Sequence, residues 1–160
     1  MTPIQHVAER AHTGRRTPSV WSEVLLATDG SENASRAADV VACIAGAIGA
    51  HVTVAAVAVE HDADVVVPWQ PEPAMRSVSV TRATHWLRPQ ADRLRDDGID
   101  VTEIVLEGEP AEAIEAAARA RGIDLIVLGH HGADAGSLPA PGSVVEALSH
   151  TCPCPLLIVP

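Results

Sequence analysis

Lysine is missing from this 160-residue chain, so all 11 of its basic residues are arginine, and none of them falls between Gly122 and Pro160. The 21 acidic residues outnumber them and set a formal charge of −10. Nucleic-acid backbones and acidic membrane surfaces would be repelled by that charge, and neither is expected as a partner. Long apolar runs are missing too: nothing approaches the roughly 20 residues needed to cross a bilayer. Cysteine is scarce, and the odd set of three, Cys43, Cys152 and Cys154, suits no secreted disulfide framework. Arg15 and Arg16 look like the start of a twin-arginine signal, but the apolar run at 24–27 is too short to complete one and leads straight into Thr28 and Asp29. A reducing cytoplasm is the expected compartment. Repeats of solenoid or propeller length are absent, and the length suits one domain burying roughly 70% of its unfolded surface.

What is present alternates between two periods. Residues 1–19 carry His, Arg, Thr and Pro without apolar periodicity and are expected to form a mobile arm ahead of a domain at 20–160. A role for Arg10, Arg15 or Arg16 in covering a ligand stays open. Residues 23–28 read as a first buried strand that turns at Asp29 and Gly30. Ser31 is placed to cap a helix whose Ala34, Ala37, Ala38, Val41, Ala45 and Ile48 recur at helical spacing, and Gly49 ends it. A Val- and Ala-rich strand is expected at 52–59 and a proline-containing loop at 60–73. The stripe Val80, Ala83, Leu87, Ala91 and Leu94 predicts a helix over 75–97, with Pro89 kinking it from the opposite face. A third strand follows at 99–106, a third helix at 110–121 with proline at its start and Gly122 past its end, and a fourth strand at 125–128. Helix four is expected at 143–150 and strand five at 156–159. This alternation implies right-handed crossovers and an open parallel sheet with helices on both faces. In such sheets ligands lie at the carboxyl ends of the strands, where strand order reverses.

The segment DLIVLGHHGADAGSLPAPGSVV at 124–145 has the most to say about chemistry. An apolar strand runs into Gly129, Gly132 follows after two residues, and nine more separate it from Gly142 and Ser143 at a helix start. Such a turn leaves backbone N–H groups without partners, and the helix dipole adds positive character, so phosphate is the natural guest. The glycines can adopt positive φ and let a ligand approach the backbone. A plainer reading fits equally well: Ser143 and Glu146 spell a capping box, S-x-x-E, and the glycines merely turn the chain. From the loop alone both stand.

The Gly-x2-Gly-x9-Gly-Ser pattern resembles the nucleotide loop of the universal stress protein family, and it sits where that family has it. LLATDGSENASRA is similar to the family's opening strand and helix, HVTVAAV to its second strand, and CPCPLLIV to its closing strand, all in the family's order over roughly residues 22–159. The resemblance implies a Rossmann-like, open doubly wound sheet of five parallel strands in order 3-2-1-4-5. It further implies that Ala27, Thr28 and Asp29 meet the nucleoside and Val57 lies against adenine. Gly129, His131, Gly132, Gly142, Ser143 and Val144 would then surround the phosphates and ribose. ATP or another adenine nucleotide, with Mg²⁺ carried by the phosphates, is the implied cofactor of a stress-response protein without dedicated catalysis. The chain departs from ATP-binding relatives in having no Lys or Arg in the loop. Asp134 adds negative charge there, and Pro139 and Pro141 remove two N–H donors. In the implied strand order Leu156–Val159 is a sheet edge, which favours a homodimer through that strand. The alternatives are a dimerisation module of the same fold that binds no nucleotide, or a slow ATPase, for which no general base or arginine finger is identifiable.

Other residues carry weaker signals. His130, His131 and Asp134 could be read as metal ligands, but adjacent histidines on a turn are expected to diverge, and spacing fixes no further ligand. Cys152 and Cys154 flank Pro153 and read as structural thiols, since CxC is not the CxxC of thiol oxidoreductases. No G-x-S-x-G elbow is present. His51, His61, His85 and His150 are expected at a strand start, in a loop and on the surface. Trp86 is expected in the core, and Trp69 as a lid or a surface aromatic.

Overall fold

The computed structural model describes residues 21–59, 72–132 and 141–160, with the backbone alone for 72–78. The arm at 1–19, most of the loop at 60–73 with His61 and Trp69, and the loop residues Asp134 and Pro139 lie outside the described residues. The elements are β1 (Glu23–Ala27), α1 (Glu32–Ile48), β2 (His51–Ala58), α2 (Glu72–Asp96), β3 (Val101–Glu107), α3 (Pro110–Arg121), β4 (Leu125–Gly129), α4 (Ser143–Thr151) and β5 (Leu156–Val159). They build one five-stranded sheet in order β3-β2-β1-β4-β5, with every pair parallel. This is the doubly wound order that the family resemblance implies.

Both faces of the sheet are covered, and the strand period of two divides the core accordingly. Val24, Leu26, Val52, Val54 and Val127 point to one side, where Ala37, Val41, Ala45, Ala83, Leu87, Ala91 and Leu94 of α1 and α2 pack on them. Leu25, Ala55, Ile126 and Leu128 point to the other, against Ile114 and Ala118 of α3 and Val145 and Leu148 of α4. No Phe or Tyr exists to thicken these layers. Alanine-rich helix faces sit close to the sheet instead.

The helix ends explain where the elements stop. Ser31 Oγ accepts from Ala34 N at 3.1 Å, and Gly49, at φ 68°, closes α1 in the left-handed region. Ile48, expected on the buried stripe, is exposed on the last turn, where Gly49 leads the chain away. At the end of α2, Gly98 has φ 79° and Ile99 N donates to Leu94 O at 3.0 Å. That bond makes Ile99 part of the helix closure, so β3 begins at Val101, two residues later than periodicity suggests. Pro89 stays exposed inside α2, which continues to Asp96. No helix among the described residues is long and apolar enough to cross a membrane.

Strand order positions the site. The chain order reverses between β1, which is followed by β2 on one side, and β4, which pairs on the other, so the turns after β1 and β4 lie side by side at the carboxyl ends.

Candidate functional site

The turn after β1 is built from its own side chains. Thr28 N extends the ladder by donating to Ala55 O at 2.8 Å, and Thr28 Oγ1 accepts from Gly30 N at 3.3 Å. Asp29 Oδ1 accepts from Ser31 N at 3.0 Å, an Asx-turn that fixes the carboxylate. The other oxygen, Oδ2, faces Gly132 so closely that a Cβ there would lie 2.7 Å from it.

The loop after β4 is tied down at both ends. His130 N donates to Val159 O at 2.7 Å, Gly142 N donates to His130 O at 3.0 Å, and Asn33 Nδ2 donates to His131 O at 3.4 Å. Gly142 is the N-cap of α4 and offers no side chain, while Ser143 is already the first helical residue. The capping box expected from Ser143 and Glu146 is therefore not formed. Glu146 N bonds Gly142 O at 3.0 Å within the helix ladder, and the first-turn amides have no capping side chain.

The glycines work through space rather than dihedral angle. Gly129, Gly132 and Gly142 all lie outside the positive-φ region that the sequence allows them. At Gly129 a Cβ would come within 2.7 Å of Asn33 Cβ and 2.8 Å of Asn33 backbone carbon, so that residue is small because α1 passes over it. At Gly142 a Cβ would lie 3.4 Å from His130 O. Gly30 is the exception among the site turns, with φ 77°.

His130 and His131 do not diverge. Their rings meet edge to face with centroids 4.2 Å apart at 83°. His131 faces the crevice, and its buried Nδ1 has no hydrogen-bond partner among the described residues. An orphaned buried ring nitrogen is uncommon, because leaving it unsatisfied costs stability that a bound polar group would restore.

These turns enclose a cavity of about 360 Å³, a size suited to a small organic ligand. All ten residues singled out from the sequence line it: Ala27, Thr28, Asp29, Val57, Gly129, His131, Gly132, Gly142, Ser143 and Val144. The lining also includes Ser31, Ala55, Val59, Leu128 and Val145, together with Trp86 from α2 and Pro110 and Ile114 from α3, which sequence reasoning missed. Trp86 is half-buried and not a core residue as expected. Its place one position before the stripe residue Leu87 was the available signal. Among the described lining residues no Lys or Arg appears; Asp29 and His131 are the ionisable ones. A second hollow of about 390 Å³, lined by Val80, Thr81, Thr84, His85, Arg88 and Pro89, is a groove on the outer face of α2. Among the described residues, no three of His, Cys, Asp and Glu gather to hold a metal ion. Cys152 and Cys154 are unbridged and lie against the α3–α4 side of the core. Burial first, then the neighbouring Cys152, pushes the Cys154 thiol up to about 11.

A parallel sheet wound on both sides, with a carboxylate, an uncapped helix start and an apolar wall at its switch point, defines a doubly wound α/β protein with a small-molecule cavity. Residues 21–160 match the universal stress protein family model. The chain is 33% identical over 141 residues to the Thermus aquaticus protein named "universal stress protein in QAH/OAS sulfhydrylase 3'region", covering 88% of this chain and 99% of that one. Among solved structures it is similar to hypothetical protein MJ0577, with TM-score 0.77, 26% identity, and 88% and 96% of the two chains covered. It is also similar to a universal stress protein in complex with cAMP, with TM-score 0.67, 25% identity, and 89% and 99% covered. The chain belongs to the universal stress protein family.

Proposed function

We propose that the cavity binds an adenine nucleotide, ATP being the ligand its loop pattern favours, and that the protein is a cytoplasmic regulator whose conformation or partner affinity in the stress response depends on that ligand. The observation that carries this reading is the meeting of three unlike surfaces in one cavity: the uncapped start of α4, the fixed carboxylate of Asp29 and the apolar end of β2. A nucleotide has three matching parts. Backbone amides of Gly132, Ser143 and Val144 suit phosphate, while Gly142 N–H is already held by His130 O. Asp29 suits a ribose hydroxyl or a base N–H. Ala27, Ala55 and Val57 suit the ring. Gly129 contributes by letting α1 pass rather than by touching ligand, and His131 Nδ1 offers the phosphate or ribose a polar contact that the described residues leave open. The cAMP complex of a relative supports the assignment.

With no basic side chain in the lining, the helix dipole contributes about 0.3 to 2 kcal/mol toward an anion. A triphosphate beside Asp29 and Glu146 needs more, so Mg²⁺ should travel with it. The decisive experiment extracts nucleotide from purified protein for mass spectrometry and then titrates ATP by calorimetry with Mg²⁺ or EDTA. Bound adenine nucleotide and binding that weakens in EDTA are expected. Protein that carries none and binds none would leave a module whose purpose is association alone.

The same reading includes a two-fold homodimer through Leu156–Val159, because β5 is an edge strand and its Leu156, Leu157 and Ile158 are only partly covered. Light scattering at micromolar concentration should give twice the chain mass; a monomer there rules this pairing out.

A further inference from the structure

The cavity has an aromatic wall to which neither the loop pattern nor the family match gives a role. We infer that Trp86 is the surface on which the ligand's base stacks, so that this chain selects a large flat heteroaromatic ring, a purine, and not merely a sugar phosphate. This rests on the nucleotide reading and extends it to specificity.

Sheet order gives the cavity two poles. The start of α4 and Gly132 stand beside the carboxyl end of β4, whereas Val57 and Val59 come from the end of β2, on the far side of β1. Adjacent strands lie about 4.8 Å apart, so the two poles are separated by about 10 Å. That is the scale of a nucleoside monophosphate from phosphate to base, and Asp29 at the end of β1 falls between, where the ribose would be. Trp86 reaches the cavity from α2, which packs across β2 and β3, and its ring sits over Gly30 in the turn after β1, the strand next to β2. Its neighbours on the stripe, Ala83 and Leu87, are 0% and 1% exposed, yet Trp86 itself stays partly open.

The indole is seated on backbone. A Cβ at Gly30 would lie 2.8 Å from Trp86 Cγ and 3.0 Å from Nε1, so glycine is needed both for its φ of 77° and to admit the ring. A tryptophan set against a turn, with part of its surface open to a cavity, is a rigid stacking platform that loses little entropy on binding. The β2 pole itself, Val57, Val59 and Ile114, is aliphatic. Aliphatic walls accept any apolar ring, but an indole adds the stacking attraction that grows with ring area.

The test compares AMP, CMP and ribose 5-phosphate, by calorimetry, on the wild-type protein, Trp86→Leu and Trp86→Phe. Wild type should bind AMP about tenfold more tightly than CMP or ribose 5-phosphate. Trp86→Leu should lose about tenfold in AMP affinity with ribose 5-phosphate unchanged, and Trp86→Phe should keep most of the preference. In a chain carrying Trp21→Phe and Trp69→Phe, the emission of Trp86 should fall on adding AMP and not on adding ribose 5-phosphate. Folded Trp86→Leu that binds AMP like wild type, or Trp86 emission indifferent to AMP, overturns the inference and leaves nucleotide binding standing. Should Trp86→Leu not fold, the Phe variant and the emission decide. Wild type that binds none of the three ligands, and no ATP with Mg²⁺ in the same calorimeter, overturns both readings together.

Discussion

The two ends of the sheet use polar side chains in opposite ways. At the amino ends of the strands polar side chains bind protein groups: Asp124 Oδ2 accepts from Ser22 N at 2.8 Å and Ser22 Oγ at 3.0 Å, and Asp124 also accepts from Glu23 N at 3.2 Å. Beside it, His51 Nδ1 meets Glu23 Oε2 at 2.7 Å and Nε2 meets Thr102 Oγ1 at 2.9 Å, which joins β1, β2 and β3. At the carboxyl ends, the N-cap of α4 has no side chain and His131 Nδ1 has no described partner. One end spends its polar groups on itself and holds the sheet together. The other leaves part of them open to the cavity.

Substitutions should therefore separate stability from binding according to the end they touch. The largest effect is expected from Gly132→Val, whose side chain would collide with the Asp29 carboxylate in the cavity. Nucleotide affinity should drop by about a hundredfold or more, while melting stays within about 1 kcal/mol of wild type, as for other changes outside the core. Calorimetry and thermal unfolding on one preparation test this; unchanged affinity in a folded variant would show that the ligand lies elsewhere.

Next in size is Asp124→Ala. It strands two backbone N–H groups and should cost about 2 to 3 kcal/mol in urea unfolding. Its nucleotide affinity should match wild type, and a parallel loss of affinity would show that the two ends are not independent. A paired histidine experiment is finer. His51→Ala removes two satisfied contacts and should lower stability by about 1 to 2 kcal/mol with binding intact. His131→Ala removes an orphaned nitrogen, so stability should hardly change while nucleotide binding weakens several-fold.

The smallest effect concerns Cys154. Burial, with the neighbouring Cys152, raises its thiol to about 11. Since the folded value lies above the unfolded one, the group's contribution is fully present below about pH 8.5, and stability should fall as pH climbs from there through 11. At pH 8 iodoacetamide should label exposed Cys43 well before Cys154, as peptide mapping would reveal. Equal labelling would show that β5 opens freely.

Much of this was legible in the sequence, for reasons that differ by element. Period alone located the helices and strands, since burial on two faces leaves Val–Ala–Leu runs and burial on one leaves helical stripes. Strand order is not written in any local pattern; it came from the resemblance, as did the assembly of Asp29, Val57 and the glycine loop into one place. Local rules misled where position within an element was in question. S-x-x-E fits a capping box at Ser143, yet the helix begins one residue earlier in register, with Gly142 as its cap. Glycine's two talents look identical in sequence, so neighbours alone reveal that Gly129 and Gly132 are chosen for size. Trp86 was read by its nearness to a buried stripe. Nothing in a helical period says that this turn of α2 overhangs the end of the sheet.

The bond from His130 N to Val159 O gives the loop a mechanical neighbour. Val159 is the last residue of β5, the edge strand, and His130 directly precedes the cavity residue His131. Only one peptide link thus separates whatever His131 touches from the strand at the margin of the sheet. Under the proposed function, a ligand that shifted the loop would act on that margin through this bond, and so would a second copy paired there. Occupancy and association, where both occur, would then be coupled through one contact.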